Sequence, residues 1–203
     1  MARIIVTHGI NTEGGGVYEL GKMLEDKGFE VVFADYEIRH FWSYWNRKKM
    51  VGDGRQLAQT MRDGDYFIGH SNAGIVWQQS IEAGAKWGKC VLLGAACTSD
   101  KFHYSADSLD EAIVYYNSYD SALQLGSKLP WHPFGKMGRR GFAWNASKEK
   151  PEPKDHDGLD RRFHNKPVPS KKWFNIDHSH YFDKDHIGNI ANEIAIFLSL
   201  IHI

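Results

Sequence analysis

Cysteine is scarce in this chain of 203 residues: Cys90 lies in an apolar run and Cys97 just after it. A disulfide framework is therefore not expected, and both are read as reduced thiols. Long hydrophobic runs are missing too, none approaching the roughly 20 residues of a membrane span. Net charge is absent, with 25 Lys and Arg against 25 Asp and Glu. Nothing global draws the chain to nucleic acid or a membrane surface. The N-terminus enters Ile4-Ile5-Val6 almost at once, without the charged-then-apolar plan of a signal peptide. A cytoplasmic location is the default expectation. What is present, 42% hydrophobic and 13% aromatic residues, suits a globular fold with one sizeable core. The expectation is a single domain over 1–203.

The stretch with the most chemical content is Asp65 to Trp77. Tyr66 to Ile68 reads as a buried strand and Gly74 to Glu82 as a helix. Between them Gly69-His70-Ser71-Asn72-Ala73 makes a strand-to-helix turn with a serine at its apex. Small residues two places either side of Ser71 let strand and helix pack closely around a strained turn. Alternatively, Ser71 merely caps the following helix.

Around this turn, apolar runs and helical patterns alternate. Arg3–Val6 reads as a first strand, leading into the glycine-rich Thr7–Gly16 and a helix from Val17 to Gly28. Glu30–Ala34, Lys89–Ala96, Ala112–Tyr116 and Trp173–Ile176 read as further strands. Asp53–Arg62 and Asp183 to the C-terminus read as helices, and Ser121–Leu125 as a short one. Strands apolar on both faces, separated by helices, predict an α/β fold: a mostly parallel central sheet with helices on both faces. Sites in such sheets lie beyond the strands' carboxyl ends. His8, Ser71 and Cys97 all fall at such ends.

Gly69-His-Ser-Asn-Ala73 resembles the nucleophile elbow, G-x-S-x-G, of the α/β-hydrolase superfamily, with Ala73 in place of the second glycine. The resemblance extends along nearly the whole chain, to a compact esterase- or lipase-like member without a full cap domain. It implies a Ser-Asp-His catalytic triad in that chain order: Ser71 as nucleophile, Asp120 just past a strand as the acid, and a histidine after the last strand. Asp120 also suits an N-cap, and Asp100, Asp107 and Asp110 compete with it. His178 is preferred to His180 as the base because it lies nearer the strand. The resemblance further implies an oxyanion hole made by the backbone N–H of Asn72 and of Ile10, or of Asn11, in the loop opened by His8-Gly9. His8 is otherwise a simple loop histidine.

Other stretches stay open. Asp35–Gly52, with Phe41, Trp42, Tyr44 and Trp45, reads either as a surface helix packed on the core or as an aromatic wall for an acyl group. Asn11, His70, Phe41, Trp42 and Trp45 are the candidate substrate-binding residues. Gly126–Lys172 is the least regular stretch; it holds all six prolines, and from Lys136 to Lys172 11 Lys or Arg stand against 5 Asp or Glu. It reads either as a solvated loop or as a partial lid. Eleven histidines come without Cys-x-x-Cys or His-Glu-x-x-His, so no metal is expected. Gly14-Gly-Gly16 carries neither a P-loop lysine nor G-x-G-x-x-G, which argues against nucleotide binding.

The function implied is a serine hydrolase cleaving a carboxylic ester, with a small-molecule or lipid-like acyl ester as substrate and no metal or organic cofactor. Neither nucleic acid nor an integral membrane is expected as a partner. The rival is a non-catalytic α/β-hydrolase-like scaffold that binds a ligand or a protein.

Overall fold

A computed structural model of the chain describes residues 3–9, 15–34, 47–97, 106–126, 128, 135, 137–142, 162–168 and 177–200. The elements run β1 (Ile4–Thr7), α1 (Gly16–Glu25), β2 (Val31–Ala34), α2 (Arg47–Thr60), β3 (Tyr66–His70), α3 (Ala73–Glu82), β4 (Trp87–Leu93), β5 (Leu109–Tyr116), α4 (Ser121–Gly126), α5 (Met137–Arg140), β6 (Phe163–Pro167) and α6 (Lys184–Ser199). Single 3-10 turns cover Ala106–Ser108 and Asp177–Phe182.

The six strands form one sheet in the order β2-β1-β3-β4-β5-β6, and every pairing is parallel. Successive strand side chains point to opposite faces, and here both faces are covered. Ile5, Phe67, Cys90, Leu92, Ala112 and Val114 pack with Met50 and Leu57 of α2 and Trp77 of α3. Ile4, Val6, Ile68, Val91, Leu93 and Ile113 pack with Leu20 and Leu24 of α1 and Ile190 and Ile194 of α6. Each fully buried aliphatic side chain contributes about 1.5–3 kcal/mol. The protein is thus an α/β fold with a parallel sheet and helices on both faces.

The order determines where a site can form. From β1 the chain moves outward to β2, then returns past β1 to β3 and continues the other way. β1 and β3 are therefore neighbours whose onward connections leave in opposite directions, the switch point beyond whose carboxyl ends sites form in such sheets. Thr7 pairs with Gly69 there, so His8-Gly9 and His70-Ser71 emerge side by side.

The main differences from the sequence expectation fall in five elements. The helix expected at Asp53 begins at Arg47 and runs through Gly52 and Gly54. Gly54 is tolerated because a Cβ there would lie 2.3 Å from the Gln79 Cβ, so its absence lets α2 approach α3. The strand expected at Lys89–Ala96 starts at Trp87 and stops at Leu93, where Gly94 takes φ +51°. β5 begins at Leu109, upstream of the expected Ala112. The stretch read as irregular holds both α5 and β6, and β6 pairs along β5 from Ala112–Phe163 to Tyr116–Pro167. The strand expected at Trp173–Ile176 lies outside the described residues, as do the aromatic segment 35–46 and most of the candidate lid.

Candidate active site

β3 ends at His70 and α3 starts at Ala73, leaving two residues to reverse the chain. A turn this sharp needs a left-handed residue, and Ser71 has φ +57°, the one positive φ outside glycine among the described residues. The left-handed region costs a non-glycine residue roughly 1–2 kcal/mol, and it persists where the surroundings over-determine it. Here the Ser71 N–H donates to the Leu93 carbonyl at 3.0 Å, and the Ser71 carbonyl accepts from Ala96 N at 2.9 Å and Gly74 N at 3.1 Å.

Close packing explains the small residues. A Cβ on Gly69 would sit 2.5 Å from the Phe67 ring and 3.0 Å from the Ala73 methyl. Strand and helix leave room for one Cβ between them, and Ala73 supplies it. A Cβ on Gly74 would press on Ala95 at 2.9 Å and on the Cys97 sulfur at 3.1 Å. Burial pushes the Cys97 thiol up to about 12, and its S–H donates to Met137 Sδ at 3.4 Å. Cys97 is fully buried and packs between Gly74 and Met137.

The loop after β5 brings in Asp120, which is fully buried. Its Oδ1 accepts from Leu123 N at 2.9 Å and so caps α4. Its Oδ2 accepts from His178 Nδ1–H at 2.6 Å. The one carboxylate thus caps α4 and accepts from His178 at the same time. His178 stands in the 3-10 turn before α6, and its Nε2 lies 2.6 Å from Ser71 Oγ, which donates to it. With Nδ1–H committed to Asp120, the free lone pair of the ring faces the serine hydroxyl. The Ser71 side chain is thus turned to His178, and the N-cap position of α3 is Asn72.

The competitors lie elsewhere. Asp107 and Asp110 are exposed, and Asp110 is near the start of β5, at the opposite end of that strand from Asp120. Asp100 lies outside the described residues. His180 Nδ1–H donates to Asp183 Oδ2 at 2.6 Å, and its ring meets the His186 ring edge-on at 4.5 Å. It belongs to the start of α6.

The end of β1 closes the site from the other side. A Cβ on Gly9 would come within 2.9 Å of the Ser71 Cβ, so only glycine lets this backbone pass the serine. His8 is buried, donates from Nδ1–H to the Gly9 carbonyl at 2.5 Å and stacks on Tyr18 with ring centroids 5.9 Å apart. Asn72 is fully buried, and its carboxamide has no partner among the described residues. As the N-cap of α3, it stands among N–H groups that a helix leaves without intrahelical acceptors. Ile10, Asn11, Phe41, Trp42 and Trp45 lie outside the described residues.

His70, read from the sequence as a substrate contact, is 3% exposed. Its Nε2–H donates to the His178 carbonyl at 2.9 Å. Burial, and secondarily the His178 ring, pulls its pKa down to about 3. A histidine depressed in the folded state takes up its proton only on unfolding. Stability is therefore lost as pH falls from about 6.5 toward 3, by at most about 1.4 kcal/mol per pH unit for one proton. Urea unfolding of His70→Gln beside wild type is expected to show a shallower acid loss between about pH 6 and pH 4. Parallel slopes would show that buried His70 does not stay neutral.

Sequence reasoning missed that Gly9 and the Leu93 and Ala96 backbones hold the serine turn. The His8-Gly9 pair was the only local signal for them. Among the described residues no group of three or more His, Cys, Asp or Glu could hold a metal ion, and no helix is long and apolar enough to cross a membrane. The chain Ser71–His178–Asp120 can pass a hydroxyl proton to an imidazole held in one tautomer, which turns a poor nucleophile into a competent one. Compared with known proteins, the chain matches no family model and no curated sequence.

Proposed function

We propose that the protein is a serine hydrolase that cleaves a carboxylic ester through an acyl-enzyme. The observation that supports it most is the pair of 2.6 Å hydrogen bonds from Ser71 to His178 and from His178 to Asp120. In this reading Ser71 Oγ attacks the ester carbonyl carbon while its proton moves to His178 Nε2. The C–O bond then breaks, and His178 returns that proton to the departing alcohol. Water repeats the sequence on the acyl-enzyme, and Asp120 holds the imidazolium throughout. The oxyanion is taken by the Asn72 N–H and, by the α/β-hydrolase resemblance, by Ile10 or Asn11. Loss of one such donor costs about 3–4 kcal/mol of transition-state stabilisation.

Two further features support the likeness to that superfamily: the chain order Ser, Asp, His, and the serine's left-handed turn at the switch point of a parallel sheet. The test is incubation with a fluorophosphonate, read by intact mass, beside p-nitrophenyl esters of graded acyl length. A single adduct on Ser71 and turnover of at least one ester are expected. Failure of both would leave the ligand- or protein-binding scaffold as the better reading.

Asp120→Asn separates this chemistry from helix capping. An asparagine still offers an acceptor to Leu123 N, so the melting temperature should change little. Its amide cannot hold the His178 tautomer, and kcat should fall about 10⁴-fold with KM little changed. Asp107→Asn and Asp110→Asn should be mild, and a large loss at either would move the acid.

A further inference from the structure

The base of the proposed triad stands on a poor platform. His178 is the second residue of a six-residue 3-10 turn, a conformation whose internal hydrogen bonds are weaker than those of an α-helix. Asp120 holds one end of its ring. Something must also hold its backbone, since an imidazole pivoting about Cα would carry Nε2 away from the serine.

One element bonds to that backbone, and two others pack around the bond and the turn. His70, the last residue of β3, donates from Nε2–H to the His178 carbonyl. Its ring lies 4.7 Å from the His178 ring, tilted by 40°, and meets Phe182 edge-on at 5.0 Å and Tyr181 at 6.2 Å. The end of β1 covers its other side: a Cβ on Gly9 would sit 3.2 Å from His70 Nδ1. The N-terminus of α1 presses on the same turn, since a Cβ on Gly16 would fall 2.1 Å from the Phe182 ring. His70 is wedged between a rigid central strand and the turn that carries the base.

We infer that His70 is a positioning residue for the general base, its Nε2–H pinning the His178 carbonyl so that the His178 ring spans Asp120 and Ser71. The kinetic side of this inference rests on the hydrolase reading. A neutral donor suits the place, because a cation 4.7 Å away would oppose the positive charge that His178 gains during the reaction. Burial holds His70 neutral, with its pKa near 3.

The test compares wild type, His70→Phe and His70→Gln. Phenylalanine keeps a ring among Phe182 and Tyr181 but cannot donate; glutamine restores an N–H near the Nε2 position. The rate of fluorophosphonate labelling reports Ser71 reactivity, as the Oγ–P bond forms, fluoride leaves and the serine proton passes to His178. Ester kcat and KM are measured in parallel. Long-range ¹H–¹⁵N spectra of the imidazoles report the His178 tautomer without any turnover, and thermal melts report folding.

His70→Phe is expected to lower kcat and the labelling rate about 10²-fold, with KM little changed, as a small misplacement does. The single Nδ1–H tautomer of His178 should give way to a mixture, and His70→Gln should recover most of the rate and the tautomer. A folded His70→Phe with wild-type labelling and an unchanged His178 tautomer would overturn the inference. So would a loss in which His70→Gln fares no better. If wild type is never labelled yet the tautomer still depends on His70, the hydrolase reading fails and the positioning role stands. If wild type is labelled and His70 makes no difference, the positioning role alone fails.

Discussion

Replacing Ser71 by alanine is expected to lower kcat for ester hydrolysis about 10⁶-fold and to abolish the fluorophosphonate adduct. The reason is local. His178 Nε2 has the Ser71 hydroxyl at 2.6 Å as its acceptor-side partner, and alanine removes the oxygen that this imidazole activates in the hydrolase reading. Folding should survive, because what holds the turn is backbone: the bonds to Leu93, Ala96 and Gly74 remain. Alanine also keeps the left-handed strain, whereas Ser71→Gly should release about 1 kcal/mol of it. A Gly variant more stable than the Ala variant in urea, with both inactive, would show strain stored where the chemistry occurs. Retained activity in the alanine variant would remove Ser71 from the mechanism.

The second large effect separates two histidines two residues apart. His178→Ala should be nearly as inactive as Ser71→Ala, because the members of such a unit fail together and not additively. The double variant Ser71→Ala/His178→Ala should therefore lose little beyond either single one. His180→Ala should keep most of its activity, since its Nδ1–H is given to Asp183 and its ring to His186, at the start of α6. Its cost should appear in the melt instead, as one side-chain hydrogen bond and a ring contact at the head of that helix are lost. Initial rates on one p-nitrophenyl ester decide the matter. An active His178→Ala beside an inactive His180→Ala would move the base and break the link to Asp120.

How far the sequence reaches depends on the range of the interaction concerned. Ile4–Val6, Tyr66–Ile68 and Lys89–Leu93 are legible as buried strands because apolar residues on both faces have few other places to go. Gly69-His-Ser-Asn-Ala73 is legible as a sharp turn because its small residues answer contacts made within five positions. The class of fold and the position of Ser71 follow from such local rules. β6 does not: Phe163-His-Asn-Lys-Pro167 is largely exposed, lacks an apolar alternation and becomes a strand through backbone bonds to β5. Nor does the start of α2, whose helix runs on through Gly52 and through Gly54, the latter packed against Gln79 of α3.

The roles of the histidines are decided last and furthest from local rules. His70, His178 and His180 look alike as letters, and each sits near a strand end or a helix start. What distinguishes them is which partner the folded chain presents. For His178 these are Asp120 and Ser71, which lie 58 and 107 positions away, and for His70 it is the carbonyl of residue 178, 108 positions away. For His180 it is Asp183, three positions on. The sequence by itself determined a parallel α/β sheet and a strained serine turn, since propensity and sterics act over a few residues. Only the tertiary structure decided which imidazole meets that serine and which one holds it there, because those contacts exist only once the sheet has brought the carboxyl ends of β1, β3 and β5 together.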